Sequence, residues 1–403
     1  MKTENPNRQI GYLQQCLASD KKPLGIFLGA GCPMAIRSGI DGNPLIPDIA
    51  GLTQIVRIEL AKCKDCGPLL VIVEDHFKKD GRNETSVEDM LTHIRALRAA
   101  AGNDEVRGLS AKDLDDLDDR ICQIIHAVAD KNLPKEETPY HQIASWVEAV
   151  PREDPVEIFT PNYDLLMEQG LEDLRVPYFD GFAGVRKPFF DLRAMEEDKL
   201  PSRWARLWKL HGSINWYQGE KGVFRGTTKE ESGSKRVIHP SHLKYEESRR
   251  MPYLAMMDRI RAFLKQPTAA LIVCGYSFRD EHINEVIVQG LEATPKAMAF
   301  GLLFGPIASY PKAVALAQRR SNLSLLARDA SVISGQQCKW TEADPEAISS
   351  CSTEWVSWKP LTPGVEGCKQ KAEFMLGNFV AFGNFLKELE GTVRQAPEVP
   401  NAK

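Results

Sequence analysis

The chain has 403 residues, with 51 Lys plus Arg against 55 Asp plus Glu, for a formal charge of −4. That length sets an expectation of about two to three domains, and the balanced charge gives no footprint for direct nucleic-acid binding. No apolar run approaches the roughly 20 residues of a membrane span, and the polar start MKTENPNRQI lacks the apolar stretch of a signal peptide, so a cytoplasmic protein away from membranes is expected.

Residues 8–20 read as a short amphipathic helix with Ile10, Leu13 and Leu17 on one face. The apolar run LGIFL, residues 24–28, ends in Gly29-Ala30-Gly31, the pattern of a buried strand entering a glycine turn. Residues 51–150 look helical. Ser86 with Asp89, and Ser110 with Asp113, form capping-box patterns ahead of apolar residues at helical spacing. This stretch is expected to be a helical insertion within one domain. Nine cysteines, odd in number and scattered, point to free thiols in a reducing compartment. Cys63 and Cys66 have metal-ligand spacing, but no second such pair follows, so no metal is expected.

A second set of strand signals begins at Val156. EIFT ends at Thr160 and leads into Pro161-Asn162-Tyr163-Asp164. RLWKL, residues 206–210, leads into His211-Gly212-Ser213. AALIVCGYSF, residues 269–278, leads into Arg279-Asp280 and a helix through Glu292, and AMAFGLLF, residues 297–304, is a further strand. Short buried strands alternating with helices predict an α/β protein with a Rossmann-like parallel sheet. Residues 218–236 read as a polar, mobile loop and 336–369 as irregular, with a closing amphipathic helix from about Lys371 to Leu389. The expected division is a catalytic domain over 1–335 and a C-terminal helical extension over 336–403, the latter a contact surface for an oligomer or partner.

The polar signals sit directly after strands, and ligands of open α/β sheets bind beyond strand carboxyl ends. Each signal taken alone has two readings. Gly29-Ala30-Gly31 fits close backbone approach to a pyrophosphate, or an ordinary glycine turn. Asn162 and Asp164 fit a ligand site, or the local hydrogen bonds of a Pro-initiated turn. His211, beside a glycine at a strand end, fits a base or a structural histidine. GxSxG, GxxxxGK[ST], HExxH and GxGxxG are absent from the sequence.

In this order, GIFLGAGCPMAIRSGI (25–40), IPD (46–48), TPNYD (160–164), KLHGSINW (209–216) and CGYSF (274–278) resemble the sirtuin-like family, most nearly the bacterial sirtuin-like NADases of anti-phage defence. The resemblance implies an NAD+ site. Gly29, Ala30 and Gly31 match the phosphate loop, and Asp48 matches the aspartate of the loop after it. Asn162 matches the residue beside the nicotinamide ribose, Asp164 the residue holding the nicotinamide carboxamide, and His211 the catalytic histidine. Gly275 and Ser277 match a strand-end pair on the adenosine side. The sequence departs from protein-deacylating sirtuins in lacking the two CxxC pairs of a zinc module after the histidine. The family's arginine after Pro-Asp-Phe is missing too, since the chain reads Pro47-Asp48-Ile49-Ala50, and Tyr163 replaces a small aliphatic residue.

The expected activity is therefore NAD+ hydrolysis to nicotinamide and ADP-ribose, with Asn162 and His211 as catalytic residues. Such an activity would deplete NAD+ in defence, as a homo-oligomer or under a HerA-type ATPase partner. The alternatives are a zinc-free deacylase or ADP-ribosyltransferase, and a non-enzymatic NAD or ADP-ribose sensor.

Overall fold

The computed structural model describes residues 2–38, 42–219, 222–226, 235–238, 252–348, 354–362 and 368–394. Its centre is a ten-stranded sheet. From edge to edge the strands are Lys2–Glu4, Gln336–Trp340, Ala330–Ile333, Leu323–Ala327, Met298–Leu303, Ala270–Cys274, Leu24–Leu28, Glu157–Thr160, Ala205–Lys209 and Tyr178–Phe179. Ala330–Ile333 runs antiparallel to both neighbours, and every other adjacent pair is parallel. The expected α/β class with a mainly parallel sheet is the one found.

The central strands are covered on both faces and mostly apolar, and their charged exceptions Glu157, Arg206 and Lys209 are ion-paired. Every residue of Leu24–Leu28, Glu157–Thr160, Ala205–Lys209 and Ala270–Cys274 is buried. Alternation sends successive side chains to opposite layers. Ile26 and Leu28 pack with helices Pro6–Ala18, Pro139–Ala149 and Phe379–Arg394, while Phe27 packs with helices Tyr253–Leu264 and Glu281–Ala293.

Helices Ile49–Lys62, Cys66–Lys79, Val87–Ala101 and Ala111–Ala129 form a separate apolar core. Both expected capping boxes are present, with Ser86 and Ser110 accepting from the amides of Asp89 and Asp113 and the acids accepting in return. The helix Pro139–Ala149, which falls inside the expected insertion, joins the main sheet's layer instead, packing on helices Leu166–Asp173 and Phe379–Arg394.

Three local expectations need correction. Residues 218–236 are not simply a loop: Gly212–Gly219 and Gly222–Arg225 pair as a hairpin, and Lys235–Ile238 pairs with the first of these, in a second, five-stranded sheet. The glycines and charged residues of this stretch hid the strands, although Trp216, Tyr217, Val223 and Phe224 are buried; positions 220–221 and 227–234 lie outside the described residues. Residues 371–374 are not helical. They belong to strand Gln370–Phe374, which pairs with Val356–Pro360 and Glu342–Ala343, and the last helix starts at Phe379. The 336–369 stretch therefore contains three strands and a short helix where described, and Gln336–Trp340 is an integral strand of the main sheet, paired with Lys2–Glu4. The end of the chain after residue 394 is outside the described residues.

Candidate active site

After Leu24–Leu28 the sheet grows in one direction through Glu157–Thr160 and Ala205–Lys209. The chain then returns to lay Ala270–Cys274 on the other side of Leu24–Leu28. The adjacent pair Leu24–Leu28 and Ala270–Cys274 is thus a topological switch point, where two outgoing loops diverge and leave a crevice.

The two loops touch through glycines. The Gly29 amide donates to the Cys274 carbonyl at 2.9 Å, and the Gly31 amide to the Gly275 carbonyl at 2.8 Å. A β-carbon on Gly29 would collide with the Gly275 carbonyl, and one on Gly275 would lie 2.6 Å from Cys32 Sγ. Gly275 also has φ of 68°, a left-handed conformation natural to glycine. The direct role of Gly29, Gly31 and Gly275 is therefore to let two strand ends close on each other, with two of the loop amides already bonded to protein.

Above them lies a cavity of about 720 Å³. It is lined by Ala30, Gly31, Asp48, Asn162, Asp164, His211, Gly275 and Ser277, so the structure brings together every expected site residue except Gly29, which does not line it. Part of its wall comes from parts of the chain far from these motifs: Glu88, Ile125 and Val128 of the helical insertion, and Gly377 to Val380 at the start of the last helix.

Thr160 ends its strand by donating its hydroxyl to the Leu28 carbonyl at 2.8 Å and accepting from the Asn162 amide at 3.0 Å. That bond turns the chain at Pro161 and aims Asn162 at the glycine loop, where Nδ2 donates to the Gly29 carbonyl at 3.1 Å. The carboxamide is thereby held in one orientation, with Oδ1 as the acceptor end. Asp164 is buried, and Oδ1 accepts from the Leu166 amide at 3.1 Å at the start of helix Leu166–Asp173. Burial raises its pKa, opposed by the positive charge of Lys209. Lys209, itself buried, donates to the Asp164 carbonyl and pairs with Glu168 at 3.1 Å. A cation locked under the turn makes it rigid. Asp48 caps helix Ile49–Lys62 by accepting from the Gly51 amide at 2.9 Å, which accounts for its position at the cavity edge.

His211 pairs through Nε2 with Asp280 Oδ2 at 3.2 Å. Asp280 is also the N-cap of helix Glu281–Ala293 and accepts from the amides of His282 and Ile283 at 2.9 and 3.2 Å. Burial alone would lower the His211 pKa; the Asp280 hydrogen bond and charge outweigh it, with a smaller contribution from Glu88, and the net shift is upward. Burial likewise works to raise the Asp280 pKa, but His211 and the two amides carry it below its ordinary value. The segment holding Asp280 is unusual in its backbone. Phe278 has φ of 55°, sparsely populated for an aromatic residue, and its carbonyl accepts from Asn284 Nδ2 at 2.8 Å. This arrangement delivers a carboxylate to the histidine ring.

Sequence reasoning missed Asp280 and Glu88. The signal for Asp280 was available in part, since an Asp after a strand end and before a helix is a cap in a site-facing loop. Nothing local announced its pairing with His211. Glu88 was legible only as a first-turn helix residue. Among the described residues, no group of three or more His, Cys, Asp and Glu is placed to hold a metal ion, and no helix is long and apolar enough to cross a membrane.

No curated protein matches the chain. Among solved structures, a Sir2 homologue in complex with NAD is 13% identical over 74% of this chain and 85% of its own, with a TM-score of 0.37. A Sir2 homologue mutant bound to ADP-ribose is 12% identical over 74% of this chain and 87% of its own, with a TM-score of 0.32. Residues 156–323 match the model of the SIR2-like domain. The match takes in Asn162, Asp164, His211, Gly275, Ser277 and Asp280, and leaves the glycine loop and the helical insertion outside it. The His211–Asp280 pair therefore lies within the segment that is similar to the SIR2-like domain.

Proposed function

We propose that this protein hydrolyses NAD+ at the nicotinamide–ribose bond, releasing nicotinamide and ADP-ribose. The observation that carries the reading is the convergence of Asn162, Asp164 and the His211–Asp280 pair on one cavity at the sheet's switch point. The SIR2-like match over 156–323, which includes all four of these residues, supports the choice of ligand.

The chemistry asks little of the protein beyond position. The carbon–nitrogen bond breaks with its electron pair passing to the pyridinium ring, so nicotinamide leaves neutral and needs no proton. Positive charge moves onto the ribose carbon, and water adds there. The proton lost by that water goes to His211, held in orientation by Asp280, and then to solvent. Asn162 orients the ribose or the attacking water, and Asp164 meets the carboxamide. His211 acts as base only when neutral. Because Asp280 raises its pKa, activity should rise with pH through a value above the ordinary histidine value of about 6.5.

Gly31, Ala30, Gly275 and Ser277 fit the diphosphate and adenosine side of the nucleotide, and Asp48 the cavity edge beside them. The resemblance supports anti-phage defence by NAD+ depletion in the cytoplasm, restrained in a homo-oligomer or by a HerA-type ATPase. The test is chromatography of NAD+ incubated with the purified chain beside Asn162→Ala and His211→Ala. Nicotinamide and free ADP-ribose from the parent alone support the hydrolase. ADP-ribose found only on an acceptor indicates a transferase, binding without turnover indicates a sensor, and turnover in both variants overturns the site.

A further inference from the structure

The helical insertion does more than roof the cavity: it brings a carboxylate into it. Glu88 lies in the first turn of helix Val87–Ala101, where the Ser86–Asp89 capping box fixes the start of the helix. It lines the same cavity as Asn162 and His211, and it accepts a hydrogen bond from the Tyr163 hydroxyl at 3.4 Å. Tyr163 stands between Asn162 and Asp164, and its carbonyl accepts from the Ile214 amide at 3.0 Å, so its backbone is tied to the segment that follows His211. The carboxylate is therefore one side chain away from the turn proposed to hold nicotinamide. On the same helix, Arg95 is ion-paired to Asp118 at 2.8 Å.

We infer that Glu88 is a specificity-determining residue that selects the cationic pyridinium of NAD+ over the neutral dihydropyridine of NADH. This rests on the reading of the cavity as an NAD+ site. The two nucleotides share adenosine, diphosphate and both riboses, and differ in ring charge and ring shape. A carboxylate at the nicotinamide end attracts the charged ring in a partly water-excluded cavity, where the attraction exceeds its value in bulk water. The same carboxylate lies where positive charge passes from ring to ribose as the bond breaks, so the contact persists into the transition state. Tyr163 serves as its positioning residue. The larger aromatic that departs from the family's small aliphatic at this position is the one whose hydroxyl reaches the insertion.

The test is calorimetric titration of the full chain with NAD+ and with NADH. It is run in a His211→Ala background so that NAD+ is not consumed, with and without Glu88→Gln. Melting temperatures of both proteins check that the isosteric change leaves the fold intact. The expected result is tighter binding of NAD+ than of NADH, with the ratio falling roughly tenfold on Glu88→Gln, the size of one charge-assisted contact. Equal affinities before that change overturn the inference without needing the variant. An unchanged ratio, or equal loss of both ligands, also overturns it. Failure of NAD+ to bind overturns the NAD+ reading itself, and the inference with it.

Discussion

The two walls of the cavity are built by different means. One wall is the row of strand ends that presents Gly31, Asn162, His211 and Gly275, and the other is assembled from the helical insertion and the start of the last helix. The first is rigid because its parts are neighbours in a buried parallel sheet, with backbone bonds passing directly between loops. The second depends on separate apolar cores. The insertion packs its own helices together, while the last helix leans on Pro139–Ala149 through Tyr140–Phe379 ring contact and the Gln142–Asn384 bond at 2.9 Å. The proposed chemistry sits on the sheet wall, and the proposed selectivity sits on the opposing one. Changes to the sheet wall should therefore abolish turnover, and changes to the other should alter selectivity or stability.

The largest effect should come from His211→Ala, with kcat for NAD+ cleavage falling on the order of 10² to 10⁴ while NAD+ still binds by calorimetry. Loss of binding in parallel would make the residue structural and erase the distinction between the walls.

On the opposing wall, Gly377→Ala should destabilise the chain by about 1 to 3 kcal/mol in denaturant melts. A β-carbon there would collide with the Leu303 carbonyl at the end of a central strand. An unchanged midpoint would show that this junction yields more easily than the glycine contacts within the sheet wall.

Asp280→Asn sharpens the comparison within the sheet wall. The carboxylate raises the His211 pKa, so its loss should move the acid limb of the kcat/KM–pH profile to lower pH, while the folded chain persists because asparagine also caps helices. A limb that stays in place would mean another group controls it. The smallest effect is expected for Ser110→Ala, which removes one capping box in the insertion. It should cost about 1 kcal/mol of stability and leave turnover at saturating NAD+ unchanged.

Much of the sheet wall is legible in the sequence. The apolar runs ending at Leu28, Thr160 and Cys274 are strands because a fully buried strand has no polar face to display. Residues at their carboxyl ends stand out for the same reason. The hairpin after His211 and the strand Gln370–Phe374 are not legible, since glycines in the one and charged residues in the other interrupt the apolar pattern. Asp280 is legible as a cap and illegible as the partner of His211. Glu88 is legible as a helix residue and illegible as part of a cavity.

The sequence by itself determined some of the local parts: which long apolar runs are strands, where the two insertion helices with capping boxes begin, and which residues stand at those strand ends. Those depend on neighbours a few positions apart, through burial of apolar runs and capping of free amides. Only the tertiary structure decided that Leu24–Leu28 lies beside Ala270–Cys274, that Asp280 meets His211, and that Gln336–Trp340 completes the main sheet beside Lys2–Glu4. Those contacts join residues distant in the chain, and no local preference encodes them. They follow from how the sheet orders its strands and closes its two layers around them.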